Sequence, residues 1–316
     1  MRALAWLELL VDLKWPEAAG GTAINTTLLA PLVSMLRDRD EQVLRRTLTV
    51  MAKVSAKSDA ALPLIVRELL ALFAEDSMLM QERSGVMLKE LCLRIDPEAV
   101  YLRLAAELEA REGDEVARCL TEKLTMILLT VPEMASLRDR LRTDSAPAAH
   151  AAARTGPAHV GAGPAHVGAG EAAAAARGGG RELFQALDRA WSRHFPAAGL
   201  GLCLLAGEYA RSCALVERIG QRMRDSSGEE TLRVLVQLDK LVQLVESPVL
   251  APLRMQLLRP AEHPHLVRAM YGVLMLLPQS EAFEVLRRRL KAVPTLALLA
   301  LAPPPQDPSA AGLLSS

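Results

Sequence analysis

The chain has 316 residues, of which 51% are hydrophobic and only 3% aromatic, with Lys+Arg and Asp+Glu equal at 37 each. That length allows one long or two ordinary domains and a large core. Leu and Ala dominate the apolar content and favour helices over strands, while a net charge near zero with no strongly basic face argues against nucleic acid as a partner.

The first residues, MRALAWLELLVDLKW, read as an amphipathic helix; Glu8 and Asp12 interrupt any signal-peptide core. From Met1 to about Arg142, helix-period runs alternate with short breaks. LLAPLVSMLRDRD carries Leu29, Leu32, Val33 and Leu36 on one stripe, with Pro31 suited to a first helical turn. EQVLRRTLTVMAKVSAKS repeats the pattern with Val43, Leu44, Leu48, Met51 and Val54. A second pair follows, with Ile65, Leu69, Leu72 and Phe73 in one helix and Val86, Leu91 and Ile95 in the next. YLRLAAELEARE and EVARCLTEKLTMILLT form a third. Helix pairs recurring at roughly 40–50 residues predict an all-α fold, a HEAT/armadillo-like helical-hairpin solenoid over residues 1–142. The pairs show no strict self-similarity in sequence.

Residues 143–180 are rich in Ala, Gly and Pro and contain GPAHVGA twice, at Gly156–Ala162 and Gly163–Ala169. So few large side chains cannot offset the ordering entropy, so this stretch reads as a disordered insert. His159 and His166 recur there as repeat residues rather than as metal ligands. Helical patterning resumes at Arg181 and continues to about 294 as a C-terminal helical module, with a Pro-rich flexible tail at 295–316.

Chemistry-bearing motifs are scarce. There is no P-loop, no H-E-x-x-H and no G-x-S-x-G, so catalytic, cofactor-binding and metal residues are all expected to be none. Glu262, His263 and His265 read as a polar loop. The four cysteines, Cys92, Cys119, Cys203 and Cys213, form no C-x-x-C pair and read as buried thiols of a reducing compartment. No apolar run reaches the roughly 18–20 residues of a membrane span.

One basic run stands out, Arg287, Arg288, Arg289 and Lys291, at the end of a helix that opens with Glu281 and Glu284. Acid first and base last complements the helix dipole. Contact with an anionic surface is the sharper alternative. Ahead of it, TLRVLVQLDKLVQLVE is apolar over more than half its circumference and needs cover on more than one side. Ser247-Pro248 predicts a helix start, Pro252 a late start or kink, and Gly272 a close helix approach. Candidate interface residues are Leu241, Leu244, Leu253, Leu257, Tyr271, Leu274 and Leu277, each of which could equally be core.

LDKLVQLVESPVLAPLRMQLL followed by HLVRAMYGVLMLLPQSEAFEVLRRRL closely resembles the C-terminal region of the vacuolar protein 14 family. LLALFAEDSMLMQERSGVMLKELCL, LTMILLTVPEMASLRDRLR and ELFQALDRAWSRHFPAAGLGLCLLAGEYARSCALVERIG look like successive blocks in the family's order. The resemblance implies a non-enzymatic scaffold that self-associates and holds a Sac-type phosphoinositide 5-phosphatase. It implies the phosphatidylinositol 3-phosphate 5-kinase in the same complex, hence control of both synthesis and turnover of phosphatidylinositol 3,5-bisphosphate. It places the protein peripherally on the cytoplasmic face of endosomal or vacuolar membranes and in the cytosol. The family's long N-terminal HEAT array is not among these 316 residues, so kinase contacts assigned to that array are not carried over. The insert at 143–180 and Pro252 depart from the family pattern. A generic HEAT-repeat adaptor in transport or phosphatase regulation is the alternative.

Overall fold

The computed structural model describes Trp6 and residues 23–58, 60–111, 113–143 and 167–294. Among these the regular structure is helical, with no strand. The helices are α1 (Ala23–Met35), α2 (Glu41–Lys57), α3 (Ala61–Glu75), α4 (Ser77–Arg94), α5 (Pro97–Glu109), α6 (Glu115–Thr130), α7 (Ala135–Thr143), α8 (Val167–His194) and α9 (Pro196–Ala206). They continue as α10 (Tyr209–Asp225), α11 (Gly228–Val245), α12 (Ala251–Leu257), α13 (Pro264–Leu276) and α14 (Glu281–Lys291). Short 3-10 turns at Pro132–Met134 and Pro248–Leu250 precede α7 and α12. The chain divides into two compact units, Met1–Glu208 and Tyr209–Ser316.

Aspartates start four of the helices of the first unit. Asp40, Asp76, Asp96 and Asp114 each accept a backbone N–H from the first turn of α2, α4, α5 and α6. Each such cap is worth about 1 kcal/mol. Asp76 also closes α3, its N–H donating to the Leu72 carbonyl, so α3 and α4 are joined by a single residue. Hairpins this tight stack in two rows. In one row α1 packs on α3, α3 on α5 and α5 on α8; in the other α2 packs on α4, α4 on α6 and α6 on α9. Each hairpin thus buries its apolar face on the next, which is the expected solenoid arrangement.

The predicted stripes face inward, with Leu29, Leu32, Leu36, Leu44, Leu48, Met51, Val54, Ile65, Leu69, Leu72 and Phe73 all buried. Val33, Val43 and Ile95 of those stripes are half-buried, and Val86 faces outward. Pro31 also departs from expectation, since α1 begins at Ala23 and carries the proline inside the helix. The Ser34 hydroxyl donates to the Pro31 carbonyl at 2.7 Å. Helix α8 starts at Val167, fourteen residues ahead of the expected resumption at Arg181. The Ala tract at 172–176 has high intrinsic helix propensity and extends α8 towards its N-terminus. Residues 144–166 and 295–316, with His159 and His166, lie outside the described residues.

The core of the first unit centres on Trp191 and Tyr101, both fully buried and stacked with ring centroids 6.5 Å apart. Trp191 Nε1 donates to Thr125 Oγ1 at 2.7 Å and the Tyr101 hydroxyl to the Leu124 carbonyl at 2.9 Å. One aromatic pair therefore joins α5, α6 and α8. Gly207, at φ 85, ends α9 in the left-handed conformation that favours glycine.

In the second unit α10 packs on α13 and α11 on α14, while α13 and α14 form a hairpin. The α10–α13 approach is close at Gly272, where an added Cβ would lie 2.7 Å from Val216 Cγ1. Ser280 caps α14 by accepting from the Phe283 N–H at 3.3 Å. Ser247 stands at the predicted start but does not cap it with its side chain: its hydroxyl donates back to the Leu244 carbonyl at 2.6 Å. The proline pair is absorbed by geometry, Pro248 opening the 3-10 turn and Pro252 sitting in the first turn of α12. The missing N–H of each then falls where helical donors have no partner anyway.

Candidate docking surface

Arg254 fixes the position of α12. Its Nη1 donates to the carbonyls of Val245 and Ser247 at 2.6 and 2.7 Å, satisfying acceptors left open at the end of α11. With the helix held there, Leu250, Leu253 and Leu257 are buried. Their spacing of three and four residues sends the positions between them outward. Met255 is 65% exposed and Leu258 50%. On α13, Leu266, Val267, Ala269, Met270 and Val273 face inward, which leaves Tyr271 38% and Met275 83% exposed on the opposite stripe. Leu232 and Val236 are likewise exposed on α11.

The seven residues singled out from sequence divide accordingly. Leu241, Leu253, Leu257 and Leu277 lie in the interior of the second unit. Leu244 and Leu274 are half-buried, and Tyr271 is the one of the seven with an exposed side chain. Sequence reasoning missed Met255, Leu258 and Met275. Periodicity gives part of the signal: once the structure assigns Leu253 and Leu257 inward, Met255 falls on the opposite side of α12.

The basic run is partly neutralised. Arg287 Nη1 pairs with Glu284 at 3.1 Å within α14, and Arg289 Nε donates to Glu246 Oε1 at 3.0 Å. The Glu246 contact raises the Arg289 pKa above its ordinary value. Arg288 and Lys291 stand exposed. Acidic Glu281 and Glu284 in the first turn and these cations in the last complement the α14 dipole.

Among the described residues no group of three or more His, Cys, Asp or Glu is placed to hold a metal ion. His263 packs edge-on against Tyr209, ring centroids 5.9 Å apart. Also among the described residues, no helix is long and apolar enough to cross a membrane. Cys92 is buried, and burial pushes its thiol from 9.0 up to about 12. The folded chain therefore keeps this proton in the window where an unfolded thiol loses it. The stability this contributes is complete below pH 9 and is lost as the pH rises towards 12. We expect Cys92 to resist maleimide at pH 8 until the chain is unfolded; prompt labelling of the folded chain, located by peptide mapping, would contradict its placement.

The family model described as "Vacuolar protein 14 C-terminal Fig4p binding" matches residues 77–293. "Protein VAC14 homolog" of Schizosaccharomyces pombe is 34% identical over 297 residues, covering 93% of this chain and 31% of that protein. "Protein VAC14 homolog" of Arabidopsis thaliana is 31% identical over 296 residues, covering 93% and 34%. "Vacuole morphology and inheritance protein 14" of Saccharomyces cerevisiae is 28% identical over 270 residues, covering 85% and 26%. The chain thus spans about a third or less of the length of these curated relatives. No solved structure matches the chain.

Proposed function

The chain belongs to the vacuolar protein 14 family, and from that premise we propose that it is a non-catalytic docking scaffold for a Sac-type phosphoinositide 5-phosphatase. The carrying observation is the match over residues 77–293 to a region described by its binding of Fig4p. That stretch runs from the start of α4 to the end of α14. A stack of hairpins suits the role, because each repeat presents its outer surface on a rigid neighbour.

In this reading the docking module lies within residues 181–294. The phosphatidylinositol 3-phosphate 5-kinase belongs to the same assembly, which controls both synthesis and turnover of phosphatidylinositol 3,5-bisphosphate. Copies of the chain self-associate, and the complex sits peripherally on endosomal or vacuolar membranes. Exposed apolar side chains in the second unit support a contact there: Met255, Leu258, Tyr271 and Met275 are costly to leave in water and well suited to an interface core.

The test is the mass of the purified chain in solution, by light scattering over a concentration series, with and without a purified Sac-type phosphatase. We expect a defined complex containing both proteins. A folded chain whose mass is unchanged by the phosphatase would remove this reading and favour a helical adaptor with other partners.

A further inference from the structure

The second unit repeats the last part of the first. In residues 97–206, α5 packs on α8, α6 on α9, α8 on α9, and α7 follows α6 across a 3-10 turn. In residues 209–291, α10 packs on α13, α11 on α14, α13 on α14, and α12 follows α11 across a 3-10 turn. The turns coincide in sequence once this register is known: PEMASLRDRLR at 132–142 against PVLAPLRMQLL at 248–258.

The shared residues do the same work in both blocks. Met134, Leu137 and Leu141 are buried in the first, as are Leu250, Leu253 and Leu257 in the second. Arg138 Nη1 donates to the Leu128 and Val131 carbonyls, both at 2.8 Å, just as Arg254 does to Val245 and Ser247. Two residues further on, Arg140 pairs with Glu98 in the first turn of α5, and Gln256 accepts from the Tyr209 hydroxyl at the first residue of α10. Register and the three inward positions agree, so the positions between them can be compared one to one; of these Val249 and Arg142 are half-buried.

They differ in chemistry. The first block exposes Glu133, Ser136 and Asp139, with Arg142 paired to Asp139 at 3.2 Å. The second block places Val249, Pro252, Met255 and Leu258 at the same positions. Holding up the fold cannot be the reason for this change, since the first block folds with a charged face there. A contact with apolar chemistry can. We infer that the outward face of α12, centred on Met255 and Leu258, is the surface through which the second block meets the phosphatase. This inference rests on the docking function proposed above. It assigns the phosphatase as occupant because the matched Fig4p-binding region contains both blocks and only the second presents this apolar face. Polar neighbours, among them Arg259 with Glu262 at 3.6 Å, supply the rim that excludes water from such an anchor.

The experiment transfers the first block's residues to the second in the full chain, as Met255→Asp with Leu258→Arg. Both positions are exposed and the new pair reproduces Asp139 and Arg142, so helicity and Tm should be retained within about 2 °C. Phosphatase binding should weaken at least about tenfold. In the unmodified chain, Met255 should become protected from peroxide oxidation when the phosphatase is added, a readout that stands even if the double variant misfolds. Equal binding by the folded variant, or no protection of Met255, overturns the assignment. So does a variant that changes only the chain's own oligomeric mass, which would make the face a contact between copies. If the unmodified chain takes up no phosphatase, the docking function itself fails and this assignment with it; if the unmodified chain and the variant bind alike, this assignment alone falls.

Discussion

Replacing Trp191 with Ala is expected to destabilise the first unit by about 3–5 kcal/mol, the usual range for deleting a buried large aromatic side chain. The indole is fully buried and stacks on Tyr101. Its Nε1 donates to Thr125 Oγ1 at 2.7 Å, and that hydroxyl in turn donates to the Thr121 carbonyl at 2.9 Å. Removal therefore opens a cavity where α5, α6 and α8 meet and strips one partner from a buried chain of hydrogen bonds. Denaturant unfolding followed by far-ultraviolet circular dichroism checks this. A loss below about 1 kcal/mol would mean that the aromatic pair does not hold these three helices together.

Gly272→Val should cost about 2–3 kcal/mol in the second unit, within the range for overpacking a tight contact. The added Cβ would lie 2.7 Å from Val216 Cγ1, and Val216 is itself buried. A β-branched side chain has little rotamer freedom with which to yield, so α10 and α13 must move apart. That movement spreads, because α13 also packs on α14. Gly228→Ala is the matched control. A Cβ there meets nothing within 4 Å, so its stability should change by less than about 1 kcal/mol. Thermal melts of the two variants decide the matter: equal Tm values would show that the close approach at Gly272 is not a constraint.

The helices and the hairpin order were legible because a 3.6-residue apolar period needs only local sequence. Leu44, Leu48 and Met51, or Ile65, Leu69 and Phe73, announce their buried face wherever the helix goes. Helix ends were less legible. Pro31 looked like a start and lies inside α1, and Ala-rich sequence before Arg181 looked like linker and extends α8. Intrinsic propensity and neighbouring contacts compete at such places, and a single sequence does not show the neighbours.

By itself the sequence determined an all-helical fold of stacked hairpins and, through long matching blocks, the family. It also anticipated that Gly272 marks a close approach and that α14 opens with Glu281 and Glu284 in its first turn. Only the tertiary structure decided which apolar residues are core and which are surface. Leu241, Leu253, Leu257 and Leu277 went inside, while Met255, Leu258 and Met275 stayed out. On a helix apolar around most of its circumference, periodicity cannot separate the face that packs on its own chain from the face that does not. Nor could sequence show that Arg138 and Arg254 do the same work, because that work lies in the carbonyls they reach, and those are brought within 3 Å only by the fold.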